Sequence, residues 1–373
     1  MKMILAALLL TAPAYAQKLT APPSGDNQRS NVTQQIGPVS VSIDYSSPRV
    51  TRNGVDRRGK IWGQLVAYGM SDLGFNNCKS CPWRAGANEN TVFTTSHDVK
   101  VQGQLLPKGS YGLHMIPGKD KFTLIFSKNT TSWGSFSYDP KEDALRVDTT
   151  PAKSDAYHEW LTYEFTEREP AKATAALEWE DLSVPFTIAV ENEPQIYVDA
   201  MRDELRGSTG FDWHNYQQAA DFAIQKKVAP ADALNWAQRA TNPQVGGQEN
   251  FGTLMTLSRA QAFNGKSDEA EKTRAKALAD PSAKPIDLHL AGRALINEGK
   301  KEEAMKIFQL NAKRFPNQWP VHVGLMRGYA ALGDTQKALS EAKLAIAQAP
   351  DEGNRKSLQG MIEKLQAGQA NIN

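Results

Sequence analysis

The stretch Leu325-Met326-Arg327-Gly328-Tyr329-Ala330-Ala331-Leu332-Gly333-Asp334-Thr335-Gln336-Lys337-Ala338 sets the architecture of the C-terminal half, because its landmarks return at one interval upstream. Gly265, Gly299 and Gly333 lie 34 residues apart, as do Ala270, Ala304 and Ala338, and Pro316 precedes Pro350 by the same 34. Each glycine stands where one helix must end in a tight or left-handed turn, which a residue without Cβ enters at no steric cost. Each alanine allows two helices to approach closely, and each proline stops the second helix.

A helical hairpin repeated at this interval resembles the tetratricopeptide repeat. Three repeats register, from about Phe251 to Pro350, with Leu257, Ala291 and Leu325 on the inner face of the first helices and Tyr329 one turn further on in the last. Two positions depart from the pattern: Gln261 stands where Tyr329 stands, and Ser282 replaces the terminal proline. Phe211 to Val228 and Ala231 to Ala240 read as a further helix pair outside the register, and Glu352 to Gln366 as a closing helix. Arg259, Arg293 and Arg327 are again 34 apart, so a row of accessible cations is expected along the concave face, suited to an acidic peptide or C-terminal carboxylate. A merely solvated face is the plain alternative.

Upstream of Pro194 the period changes. Val39, Val41, Ile43 and Tyr45 alternate with small polar residues, as do Tyr111, Leu113 and Met115, then Phe122, Leu124 and Phe126, which is half-buried strand patterning. Further strands are expected at Thr91 to Thr95, Val99 to Val101, Leu145 to Thr149, Trp160 to Phe165, Ala175 to Trp179 and Val184 to Val190. Asn53-Gly54, Gln102-Gly103, Lys108-Gly109 and Pro117-Gly118 supply turns. Eight or nine short strands at this spacing predict an all-β sandwich. The expected layout is residues 1–16 as a signal peptide, 17–193 as the sandwich and 194–373 as an α-helical tetratricopeptide-like solenoid.

The leader reading rests on Lys2, the apolar run Met3 to Leu10 and Ala14-Tyr15-Ala16, with cleavage expected after Ala16 and a periplasmic or secreted destination. No stretch reaches the roughly 18 apolar residues of a membrane-spanning helix. Lys and Arg total 43 against 41 for Asp and Glu, which gives no cationic surplus for nucleic acid.

Three strings occur in order: Gly59-Lys60-Ile61-Trp62-Gly63-Gln64-Leu65-Val66, Pro82-Trp83-Arg84-Ala85-Gly86-Ala87-Asn88-Glu89-Asn90 and Lys108-Gly109-Ser110-Tyr111-Gly112-Leu113. Together they resemble the bacterial domain-of-unknown-function family 2911 over about Thr20 to Val190. Members of that family are similar to exported proteins often followed by tetratricopeptide repeats, and the resemblance implies no established activity.

Trp83, Arg84, Asn88, Glu89 and Asn90 crowd an aromatic ring, a cation, a carboxylate and two amides before a strand, a set able to bind a glycan or small polar ligand or simply to brace its own loop. Cys78 and Cys81 are expected to form a local disulfide, with metal, redox or free-thiol states as alternatives. His97 and His114 are weak candidates to join Glu89 in acid–base work. Trp133, Phe136, Tyr138, Trp160, Tyr163 and Trp179 are expected in the sandwich core, with a sugar-binding face as the alternative, and Arg57-Arg58 in a solvated loop. No metal set, cofactor motif, nucleophile elbow or phosphate loop is present.

Two readings follow. The first is an exported envelope scaffold whose repeats hold a partner protein or peptide while the β domain holds a partner or polar ligand. The second is a periplasmic, hydrolase-like enzyme acting on a glycan or small polar substrate around Arg84 and Glu89.

Overall fold

The computed structural model describes residues 22–76 and 78–368; the expected signal peptide lies outside the described residues. The chain divides into two compact units, Met1–Glu193 and Pro194–Asn373.

The first unit is all β and wholly antiparallel. Strands β1 (Gln28–Ile36), β2 (Val39–Ser47), β3 (Thr91–Thr95), β6 (Gly109–Ile116), β7 (Phe122–Ser127) and β8 (Asp143–Thr149) form one sheet in the order β1-β2-β3-β6-β7-β8. Strands β4 (Val99–Val101), β5 (Gln104–Leu106), β9 (Ala152–Glu169) and β10 (Lys172–Ala189) form the other, in the order β5-β4-β10-β9. The alternation in β2 puts Val39, Val41, Ile43 and Tyr45 inside, where Tyr45 meets Tyr163 of β9 edge-on at 4.9 Å. Phe93, Leu113, Met115, Phe122, Leu124 and Phe126 are likewise buried, so the inward faces of the two sheets share one core.

Two strands escaped the sequence reading, and two expected strands are one. β1 is a polar edge strand in which only Val32 and Ile36 are apolar, and β5 is a three-residue edge. Ala175 to Trp179 and Val184 to Val190 belong mostly to the single strand β10. Its register slips around Glu178, Glu180 and Leu182, and Glu180 has φ +54°, so a bulge breaks the alternation there. The polar sequence across the bulge imitates a turn.

The expected aromatic core divides too. Tyr163 and Trp179 are buried and Trp160 is half-buried, but Trp133 is 51% exposed. Phe136 and Tyr138 are half-buried in the β7–β8 connection, where Phe136 meets Arg84 and Tyr138 meets His114, a strand residue that faces away from the interior.

The second unit holds ten helices among the described residues, of which α1 (Glu193–Glu204) carries too little apolar periodicity to be expected: Val198 is its only buried residue. Helices α2 (Trp213–Lys226) and α3 (Pro230–Thr241) pair, followed by α4 (Phe251–Phe263) with α5 (Ser267–Ala279), α6 (Pro285–Asn297) with α7 (Lys301–Arg314), α8 (Trp319–Ala331) with α9 (Thr335–Ala347), and α10 (Glu352–Gln366). Gly265, Gly299 and Gly333 follow the first helices at φ +74°, +78° and +84°, the left-handed turn that their spacing predicted. Ala270, Ala304 and Ala338 are buried.

The middle of the stack is built on Phe308, which is fully buried. A Cβ on Gly292 would stand 2.3 Å from its ring, and one on Gly324 2.6 Å, so two first helices lie against it at a distance only glycine permits. One repeat earlier the position of Phe308 is occupied by Arg274, which pairs at the surface with Glu271 and Glu303 instead of filling a core.

Candidate functional site

The β2–β3 connection, residues 48–90, is long and irregular, and a connection of this length inside a compact unit is uncommon without a function. It is held by local ties. Trp83 exchanges backbone hydrogen bonds of 2.8 Å with Met115 of β6, Ser71 pairs with Cys81, and Cys78 and Cys81 are joined as a disulfide.

The ties shape a cavity of about 260 Å³ in the β unit, lined on its polar side by Arg52, Arg57, Arg84 and Asn27 and on its apolar side by Trp83, Trp179, Leu65 and Leu73 among others. The indoles of Trp83 and Trp179 lie nearly parallel, 13° apart at 6.3 Å, with Trp62 edge-on to both at 5.7 and 5.9 Å. Trp179 is 1% exposed and its Nε1–H has no acceptor.

The guanidiniums are anchored by backbone. Arg57 donates from Nε to Val50 O at 3.0 Å and from Nη2 to Arg49 O at 2.6 Å, and Arg84 donates from Nη1 to Asn88 O at 2.5 Å while lying 4.8 Å over the Phe136 ring. A Cβ on Gly134 would fall 2.1 Å from Arg84 Cζ, so Gly134 makes room for that guanidinium. Burial lowers the pKa of both; Arg52 lowers that of Arg57 further, and the Glu159 carboxylate opposes that shift. Among the described residues no carboxylate lines the cavity, and Glu159 is the carboxylate that acts on Arg57 from outside it.

The Pro82-to-Asn90 string therefore has two tasks. Trp83 and Arg84 are among the residues that line the cavity, whereas Asn88, Glu89 and Asn90 do not line it. Asn88 sits at φ +56° and donates from Nδ2 to Ser24 O, while Asn90 Nδ2 donates to Asn129 O at 3.0 Å. Tyr163 and Thr91 both donate to Ala85 O. The loop is thus bonded on all sides, which presents Trp83 and Arg84 in fixed positions.

The structure gives the expected acid–base candidates different partners. Glu89 accepts from Ser46 Oγ at 3.2 Å and faces Arg29 at 3.8 Å. His97 bonds Ser96 Oγ at 2.9 Å. His114 is buried, its Nδ1 2.8 Å from Ser135 Oγ, with burial first and Arg84 second pushing its pKa down to about 4, so its ring is neutral at pH 7. No group of three His, Cys, Asp or Glu side chains is placed to hold a metal among the described residues. Arg57, read from the sequence as part of a solvated loop, is half-buried at the cavity, because its neighbours fold back onto Arg49 and Val50.

In the helical unit the three arginines share a register but not an environment. Arg259 is exposed and pairs with Asp221 at 3.0 Å. Arg293 is half-buried. Arg327 is only 6% exposed, contrary to the expected open row, because α10 covers it and its Nη2 reaches Met361 Sδ at 3.6 Å. Burial, then Arg293, pushes Arg327 down to about 10, and burial followed by both arginines pushes the neighbouring His289 down to about 4. Ile286 and Leu290 of α6, one turn apart, are 41% and 52% exposed.

No helix among the described residues is long and apolar enough to cross a membrane. A sequence model of the family described as Protein of unknown function (DUF2911) matches residues 27–188. No curated protein matches the chain. Among solved structures, YrrB, a TPR protein with an unusual peptide-binding site, aligns at 18% identity over 45% of this chain and 84% of its own, with a TM-score of 0.30. Alignment at that level carries no argument about this chain's ligands; its repeats are evident from its own helix pairs.

Proposed function

From a β unit that matches the DUF2911 family, we propose an exported binding protein of two parts: the β unit is a receptor for a small anionic ligand, and the helical unit holds a peptide segment of a partner protein. The observation that carries this reading is the β-unit cavity, whose lining, among the described residues, includes Arg52, Arg57 and Arg84 and no carboxylate. Cationic lining residues beside an apolar wall suit an anion with an apolar body. A neutral glycan would leave those charges uncompensated.

Export is supported by the leader-like residues 1–16 and by the cysteine pair, which suits an oxidising compartment. The peptide role is supported by the exposed Ile286 and Leu290 on the same helix as Arg293, a surface suited to an acidic segment with apolar anchors.

Thermal unfolding of the full chain in the presence of small organic anions and of neutral sugars tests the receptor. Anions are expected to raise the β-unit transition by several degrees, and Arg52→Gln or Arg57→Gln to remove most of that gain. Stabilisation by sugars with none by anions would overturn it.

A further inference from the structure

A cavity in the helical unit, lined by α4, α5 and α6, defines the anchor of the partner segment, and this step rests on the reading of that unit as a peptide holder. We infer that the segment inserts an aromatic side chain there, into the space that the next repeat fills with its own Phe308.

The 34-residue register makes one repeat a template for the other. Phe308 and Met305 of α7 are buried, and the Phe308 ring packs against Gly292 and Gly328 with the His289 ring 6.2 Å away. The residues 34 positions before Phe308, Met305, His289, Gly292 and Gly328 are Arg274, Glu271, Met255, Ser258 and Ala294. All five line one cavity of about 340 Å³. The space that a ring and a thioether fill in one repeat is therefore open in the repeat before it.

Two charged residues are the cause. A guanidinium and a carboxylate do not enter an apolar core at the positions of a phenyl ring and a thioether, because losing water costs them too much. Arg274 and Glu271 instead pair with each other at 2.7 Å, Arg274 reaches Glu303 at 3.4 Å, and Lys300 holds Glu298 at 3.1 Å. Buried Ala270, Leu278 and Leu295 supply the apolar part of the lining. Ser258 Oγ donates to Ala270 O at 2.7 Å, so its hydroxyl needs no partner from an occupant. Exposure follows the filling: Ala294 is exposed, whereas its counterpart Gly328 is buried.

The template also gives the occupant. An apolar cavity of about 150 Å³ accepts benzene, so 340 Å³ holds a ring and a second apolar group. Met305 and Phe308 provide such a pair three residues apart on one helix face. A helical partner segment with methionine and phenylalanine at that spacing offers the same two groups from outside.

Calorimetric titration of the full chain with two helix-forming peptides provides the test. One carries methionine and phenylalanine three residues apart between glutamate flanks; the other has alanine in place of the phenylalanine. The phenylalanine peptide is expected to bind at least tenfold more tightly. Ala294→Phe, which adds a ring at an exposed position of the lining, should abolish that preference without lowering the helical transition. Glu271→Met combined with Arg274→Phe, which copies the filling of the next repeat, should abolish it too and raise the helical transition by several degrees.

Equal affinity for the two peptides would overturn the aromatic anchor and leave the peptide reading standing. A preference that survives in both variants would place the ring elsewhere and overturn the assignment to this cavity. N-acetylphenylalanine amide binding as tightly as the whole peptide would replace the partner segment by a small aromatic ligand. Failure of both peptides to bind would remove the peptide reading along with this one.

Discussion

The two units make opposite use of arginine and histidine. In the β unit, Arg52, Arg57 and Arg84 have no common spacing in the sequence yet all line one cavity, with neutral His114 near Arg84. In the helical unit, Arg259, Arg293 and Arg327 hold a perfect 34-residue spacing and end in three environments: paired with Asp221, half-buried, and covered by α10 above neutral His289. Periodicity fixes which helix face a residue occupies. It does not fix what packs on that face, and aperiodic residues in a long loop come to line one cavity when the loop's own bonds fold it back.

The largest expected effect separates the two units. Phe308→Ala empties the space between Gly292, Gly324 and Gly328 and should cost the helical unit about 4 kcal/mol. Calorimetry of the full chain should show the helical transition lowered by roughly 10 °C and the β transition in place. A matching drop in both transitions would mean that the units do not unfold independently, which would break the comparison at its root.

Acid should then strain both units by one mechanism. His114 and His289 are held neutral in the folded chain, each with its pKa pushed down to about 4 by burial and neighbouring arginine, while the unfolded chain protonates them near pH 6.5. Lowered folded-state values mean that stability is intact above pH 6.5 and is lost as pH falls toward 4, by up to about 3 kcal/mol per histidine. Unfolding free energies measured from pH 7 to pH 4 should show this slope in both transitions. His114→Gln should flatten only the β transition and His289→Gln only the helical one; a slope unchanged in either variant would remove the assignment for that unit.

How much of this was legible in the sequence follows the same division. The inward alternation of Val39, Val41, Ile43 and Tyr45 and the left-handed glycines at 34-residue spacing were readable because each obeys a single backbone period. β10 was split in two because Glu180 sits in a bulge, where the period fails. Trp83 and Arg84 were readable as candidates, while Trp179 was read chiefly as core, Arg57 as a solvated loop cation and Arg52 not at all, since their place at one cavity depends on tertiary ties such as Arg57 to Arg49 O and Trp83 to Met115. The usable signal was the long irregular stretch 48–90 itself, rich in arginine and tryptophan where no period holds. Glu89 was overvalued because sequence proximity to Arg84 suggested a shared site, whereas Glu89 faces Arg29 and Ser46.

A disulfide tests whether the loop's ties matter to the cavity alone. Cys78 and Cys81 close a very short loop, so reduction should destabilise the β unit by about 2 kcal/mol and leave the helical transition unchanged. Because Leu73 and Pro82 flank the bridged segment and line the cavity, reduction should also weaken anion binding by more than that stability change alone would produce. Reduced protein that keeps full anion affinity would show that Trp83 and its backbone bonds to Met115 suffice to hold the wall.

The smallest effect is expected where the repeat period looks most persuasive. Arg259 and Asp221 are an exposed pair, with side chains 54% and 37% accessible, and such pairs contribute well under 1 kcal/mol. Arg259→Ala should therefore leave the helical transition within about 0.5 kcal/mol of the parent, while Arg327→Ala, removing a side chain packed beneath Met361, should lower it visibly. If the three arginines formed one working row, the two substitutions would weaken an acidic peptide alike. If environment governs instead, Arg259→Ala should affect only peptide affinity and its salt dependence, and Arg327→Ala chiefly stability, so identical spacing would have produced two different kinds of residue.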